Sequence, residues 1–206
     1  MARELSARLG CRYIDTGAMY RAAALAADRE RVDITKPAEL SGFLQKLVIR
    51  QEMSKGSVIT FVNGEDVSER IRLGDMGMKA SAISALPAVR ERLTALQREM
   101  GREGGVVLEG RDIGSVVFPD ADFKFFLTAS AEERAKRRFK ELVEKGEPVE
   151  FDTVLAEIRS RDRNDSTREA APLRRVEGAM EIDSTDKGAD EVVEEIVRCI
   201  ERAEAE

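Results

Sequence analysis

A chain of 206 residues is long enough for one α/β domain with an insertion, and a hydrophobic fraction of 42% suffices for a core. Charged residues make up 36% of the chain with a net charge of -6, which argues against a nucleic-acid binder that works by general basicity. The chain has no His, which removes Ser-His-Asp hydrolysis, His metal sites and His proton relays. Cys11 and Cys199 are too few for a disulfide scaffold or a zinc site. No apolar run reaches membrane-spanning length and no signal peptide precedes the first structured segment. A cytoplasmic protein without a membrane partner is expected.

In chain order, residues 2–9 read as a helix with Leu5 and Leu9 at i,i+4 and Gly10 at its end. Cys11 to Ile14 reads as a short strand. Thr16 is expected to cap a helix running to about Arg29, with Met19, Ala22, Ala23 and Ala26 on its apolar side. Pro37 opens a short helix through Leu47. Residues 47–51 are strand-like, Ser57 to Val62 alternate, and Asn63-Gly64 is a tight-turn signal, so a small antiparallel sheet is expected between helices. Helices follow at 73–84 and 87–100, with Pro87 at a helix start. Val106 to Glu109 and Phe123 to Leu127 read as strands. Helices are predicted at 131–145, 151–163 and 189–203, and a strand at Met180 to Asp183. Short apolar strands alternating with helices predict an α/β fold, a parallel sheet covered by helices on both faces, with a small antiparallel β insert. Ligands of such sheets bind at the carboxyl ends of the strands.

The segments at those ends carry the chemistry. In Asp15-Thr16-Gly17-Ala18-Met19-Tyr20-Arg21, Thr16 brings a hydroxyl and helix-start N–H groups, Gly17 allows close approach, and Arg21 reaches back towards a phosphate. Alone, this is equally a helix cap followed by a surface Arg. In Gly110-Arg111-Asp112-Ile113-Gly114, two glycines bracket a charged pair. Arg111 can grip phosphate and Asp112 can accept from an exocyclic amine, although a surface turn with an ion pair reads the same way. Arg134, Arg137 and Arg138 share one helix face by spacing, as do Arg161, Asp165 and Arg168 if their helix continues. A solvated charged face would look alike. Arg outnumbers Lys, and its planar fork suits phosphate oxygens, although a GC-rich genome gives the same excess.

Taken together and in order, these motifs resemble the bacterial cytidylate kinases of the P-loop nucleoside monophosphate kinase superfamily. The resemblance runs from Met1 to the last helix. Gly64-Glu65-Asp66-Val67-Ser68, Ser81 with Pro87-Ala88-Val89-Arg90, Gly110 to Pro119, Glu132 to Arg138, and Arg161-Asp162 through Pro172-Leu173 add to it. It implies a single kinase domain over 1–206, with a monophosphate-binding insert at 35–86 and a lid at 137–168. The implied reaction transfers the γ-phosphoryl group of ATP, with Mg²⁺, to CMP or dCMP. The implied substrate-binding residues are Thr16, Arg21, Ser81, Arg90, Arg111, Asp112, Asp165 and Arg168. Arg137, Arg138 and Arg161 are the implied catalytic cations that neutralise the transferring group. A monomer with no nucleic-acid partner is expected.

The chain departs from the family at one point. No Gly-x4-Gly-Lys-Ser/Thr occurs in it, so the loop that cradles ATP phosphates and the strand before that loop are not among its residues. Cofactor-binding residues are therefore unassigned, and little or no kinase activity and reduced stability are expected of these 206 residues by themselves. A non-catalytic nucleotide-binding protein, a uridylate or other pyrimidine monophosphate kinase, and an Arg-rich RNA-binding module are the competing readings. The last is opposed by net acidity and 5% aromatic content.

Overall fold

The computed structural model describes residues 1–54 and 56–205. They form two compact units, Ala2–Pro119 and the residues from Asp120 onward, with Met1 grouped with the latter.

In the first unit, α1 (Ala2–Arg8) leads into β1 (Arg12–Asp15), which runs directly into α2 (Thr16–Arg29). The strand ends where a cap becomes possible. The Asp15 carboxylate accepts from the Ala18 N–H at 2.7 Å, so Asp15 rather than Thr16 is the N-cap. The expected apolar side of α2 is buried, including Met19, Ala22, Ala23 and Ala26. Its small side chains let the helix pack closely against α4 (Met76–Ser84) and the small sheet. Fully enclosing a side chain such as Met19 is worth about 1.5–3 kcal/mol.

Helix α3 (Pro37–Lys46) precedes β2 (Ile49–Ser54), β3 (Ser57–Val62) and β4 (Glu65–Asp66), which form an antiparallel sheet in that order. Asn63 and Gly64 both have positive φ, 50° and 90°, as a tight hairpin turn requires. The alternation expected of β3 is seen: Val58, Thr60 and Val62 face inward. A 3₁₀ turn at Arg70–Arg72 leads to α4, and α5 (Pro87–Gly101) starts at its proline. Strand β5 (Val106–Glu109) pairs in parallel with β1, Asp15 opposite Glu109. After β5 the chain makes a π-helical turn at Ile113–Val117. The Asp112 carbonyl accepts from the N–H groups of Ser115, Val116 and Val117. Arg98 on α5 donates to the carbonyls of Val116 and Val117 at 2.6 and 3.0 Å.

In the second unit, β6 (Phe125–Thr128) pairs in parallel with β7 (Met180–Asp183), Phe125 opposite Met180. Helices α6 (Ala131–Glu144) and α7 (Phe151–Thr167) pack on one another over Ala135, Leu142 and Val154, with Phe139 and Phe151 edge to face at 5.9 Å. Helix α7 runs four residues past its expected end. Helix α8 (Ala189–Glu204) buries Val192, Val193, Ile196 and Ile200, the apolar stripe of an amphipathic helix. Parallel strands among helices with a small antiparallel sheet match the α/β expectation. Among the described residues, no helix is long and apolar enough to cross a membrane.

Candidate functional site

Within the first unit, the polar motifs gather at the carboxyl ends of β1 and β5. Thr16, 3% exposed, donates its hydroxyl proton to the Glu109 carbonyl at 2.6 Å and so fastens the start of α2 to the end of β5. The expected free hydroxyl for an anion is thus already committed as a donor; its lone pairs remain acceptors only. Gly110 makes this possible. A Cβ there would stand 2.5 Å from Thr16 Oγ1 and 2.7 Å from Ile113 Cδ1, closer than atoms pack. Arg21 folds back over the turn, with Nη2 3.4 Å from Asp15 Oδ2, and its Nη1 would touch a Cβ on Gly17 at 3.3 Å. The sequence expectation that Arg21 reaches back along the helix therefore agrees with its position here.

In this unit the most enclosed charges are Arg90 and Asp112. Both side chains are 7% exposed, and Arg90 Nη2 donates to Asp112 Oδ2. Arg90 Nη1 donates to the Ser84 carbonyl at 3.2 Å, and the guanidinium lies over the Tyr20 ring at 5.7 Å from its centroid. Four elements therefore converge on Arg90: α2, α4, its own α5 and the loop after β5. Ser81 is half-buried one turn before Ser84, and its carbonyl accepts from the Ser84 hydroxyl at 2.8 Å. Arg111 is exposed beside buried Asp112, so consecutive residues of the loop face different surroundings. At the strand ends, the Tyr13 hydroxyl donates to the Glu109 carboxylate. Burial and the carboxylates of Glu109 and Asp15 hold the Tyr13 phenol far above its usual range, so it stays protonated.

The second unit carries the remaining predicted residues. Asp165 is buried near the end of α7 and pairs with Arg168 at 3.3 Å and Arg161 at 3.9 Å, so the expected carboxylate between two arginines is formed. The Arg face of α6 does not act as one face. Arg134 donates through both terminal nitrogens to Asp162 at 2.8 and 2.6 Å, and this pairing raises its pKa. Arg137 donates to the carbonyls of Ser184, Thr185 and Lys187. Arg138 pairs with Glu141 at 3.2 Å. Sequence spacing alone could not separate these three directions.

Sequence reading missed Tyr20, Ser84, Gln51 and Glu109 as site residues. Tyr20 was legible, since it sits inside the motif that ends in Arg21. Ser84 and Gln51 act on or through backbone groups, and no residue pattern signals that.

The model of the family described as cytidylate kinase matches residues 1–202. The cytidylate kinase of Geobacter sulfurreducens is 51% identical over 202 residues, 97% of this chain and 87% of that protein. That of Syntrophotalea carbinolica is 46% identical over 200 residues, 97% of this chain and 85% of that protein. That of Bacillus subtilis is 45% identical over 190 residues, 92% and 85% of the two chains. A match along nearly the whole chain, with motifs that converge on buried Arg90 and Asp112, places this protein in the cytidylate kinase family of the P-loop kinase superfamily.

Proposed function

We propose that the protein transfers the γ-phosphoryl group of ATP to CMP or dCMP. The carrying observation is the buried Arg90–Asp112 pair at the carboxyl end of β5. A desolvated cation and anion fixed side by side present a donor and an acceptor to the edge of one base, and a base with the wrong edge leaves one of them unpaired. Asp112 accepts from the exocyclic amine of cytosine and meets only a carbonyl in uracil. Ser81 supports the base and sugar end. Thr16 does the same as an acceptor, since its hydroxyl proton is held by the Glu109 carbonyl; Arg21 and Arg111 serve the acceptor phosphate, and Asp165 with Arg168 serves the sugar hydroxyls. Arg137, Arg138 and Arg161 neutralise charge on the group in flight, the main contribution a protein makes to this chemistry. Mg²⁺ enters as a partner of ATP, as the family's reaction implies. Residues 35–86 act as the acceptor-binding insert and 137–168 as the lid of one kinase domain. The protein acts in pyrimidine nucleotide metabolism in the cytoplasm, as a monomer that engages neither nucleic acid nor membrane.

Calorimetry with CMP, dCMP and UMP tests the acceptor assignment independently of turnover. CMP and dCMP are expected to bind about 10–100-fold more tightly than UMP. Asp112→Asn, which turns part of the acceptor into a donor, should narrow that gap. Equal affinities for CMP and UMP in the unaltered protein would overturn the reading.

A further inference from the structure

The motif Gly64-Glu65-Asp66-Val67-Ser68 takes no part in the site as built above, yet a run of hydrogen bonds connects it to that site. Asp66 Oδ1 accepts from the Ser68 N–H at 2.9 Å and from the Ser68 hydroxyl at 2.6 Å. Those two bonds hold the Asp66 carboxyl below its usual pKa, so the turn stays intact at neutral pH. Ser68 Oγ in turn accepts from the N–H of Thr60 at 2.9 Å. Thr60, 1% exposed on β3, stands opposite Gln51 of β2, and Gln51 Nε2 lies 3.4 Å from its hydroxyl oxygen.

The Gln51 carboxamide then reaches out of the small sheet to β1. Its Oε1 accepts from the Asp15 N–H at 3.0 Å, and its Nε2 donates to the Asp15 carbonyl at 2.8 Å. One side chain thus satisfies both backbone groups of Asp15, as a neighbouring strand would. Asp15 is the residue whose carboxylate caps α2 through Ala18 and pairs with Arg21. Its backbone position therefore fixes the direction of that carboxylate and, through it, of the Arg21 guanidinium.

We infer that Gln51 is a positioning residue, which ties the small antiparallel sheet to Asp15 and thereby sets the reach of Arg21 towards the phosphate of the acceptor. The inference rests on the acceptor site proposed above. A carboxamide is the group required here, because it carries a donor and an acceptor on one planar head. Glu keeps only the acceptor and Met keeps neither at similar length. A purely architectural role would make the contact matter equally for every ligand. A positioning role makes it matter only for ligands that bear a phosphate.

The test compares CMP with cytidine, which lacks the phosphate, by NMR titration of the full chain and of Gln51→Met, Arg21→Ala and the double variant. Gln51→Met should weaken CMP about tenfold and leave cytidine affinity unchanged. In the Arg21→Ala background it should add no further loss, since residues acting through one group are not additive. Equal losses for CMP and cytidine, additive losses in the double variant, or no loss in Gln51→Met would each overturn the inference. If Gln51→Met fails to fold by circular dichroism, Gln51→Glu carries the same comparison, with the same phosphate-specific loss expected. If Arg21→Ala itself binds CMP normally, the acceptor-site reading falls, an outcome distinct from the failure of Gln51 alone.

Discussion

In the unit formed by Ala2–Pro119, Arg90 is shut against Asp112, a backbone carbonyl and an aromatic ring, inside a core that includes Met19, Leu47, Val89 and Leu93. From Asp120 onward, apart from the Asp165–Arg168 pair, the arginines lie at the surface. Arg134 and Asp162 are 36% and 33% exposed, and Arg137, Arg138 and Arg161 are each about two-fifths exposed. The helices that carry them, α6 and α7, share only a small apolar cluster of Ala135, Leu142 and Val154. The difference fits the two tasks proposed for Arg90–Asp112 and for Arg137, Arg138 and Arg161. Telling one base from another relies on the penalty for an unpaired group, and that penalty exists only where water is excluded. Stabilising a transferring phosphoryl group needs cations that can leave their resting partners. Exposed ion pairs, worth little, let them go.

The largest expected effect separates the two kinds of pair directly. Asp112→Ala strands a buried guanidinium and should cost about 3–5 kcal/mol of stability. Arg134→Ala breaks a bidentate pair that water still reaches, each side chain about a third exposed, and should cost about 1 kcal/mol. Urea denaturation of both variants measures the contrast, and equal losses would break it.

Two glycines sharpen the comparison within the first unit. Gly110→Ala drives a methyl into Thr16 Oγ1 and Ile113, between elements fixed by the β1–β5 pairing, and overpacking of this kind costs about 1–3 kcal/mol. Gly17→Ala meets the flexible end of Arg21 and a carboxylate oxygen at 3.3 Å, so stability should fall by less than about 0.5 kcal/mol. Its effect should appear in CMP affinity, because Arg21 is the group displaced. Similar thermal shifts for the two variants would show that the β5 loop is softer than its packing implies.

What the sequence revealed divides along similar lines. Periodic features were legible: the buried side of α2, the alternation of β3, the Asn63-Gly64 turn and the apolar stripe of α8. Features decided by a distant partner were not. Asp15 and Thr16 are both good caps, and Asp15 took the role because β1 pairs with β5 as far as Asp15 and the Thr16 hydroxyl is drawn to Glu109. Strand β2, Ile49–Ser54, has no clean alternation and is set by its pairing with β3. Helix α7 continues past Arg163 towards Asp165, whose carbonyl accepts from the Leu173 N–H at 2.7 Å; nothing local marks that bond. The π-helical turn depends on Asp112 and Arg98 together. At the site, residue type pointed to Asp112 and the family resemblance to Arg90, whereas their pairing and the Gln51 clasp arise only from the fold.

The smallest effect compares one device that occurs in both units. Asp66 accepts from the N–H and hydroxyl of Ser68, and Asp183 accepts in the same way from Thr185. Both carboxyls are held below their usual pKa by these bonds, with a further lowering from Lys187 at Asp183. A lowered carboxylate pKa contributes stability that is present above the unfolded value of 3.8 and lost as pH falls through the folded value. Ser68→Ala and Thr185→Ala should therefore each raise the NMR-measured pKa of the partner aspartate towards the ordinary range, and the two variants should lose their stability advantage over the same acidic window. The hydroxyls differ in what else they hold. Ser68 Oγ accepts from the N–H of buried Thr60, whereas Thr185 Oγ1 accepts from the N–H of exposed Ser130 at 3.1 Å. Water can replace the second partner and not the first. At neutral pH, Ser68→Ala should cost about 1 kcal/mol through the stranded Thr60 amide, and Thr185→Ala should be close to neutral. If both variants lose stability alike while both aspartates titrate alike, burial is not what distinguishes the two units, and the contrast drawn from Arg90 and Arg134 would need another cause.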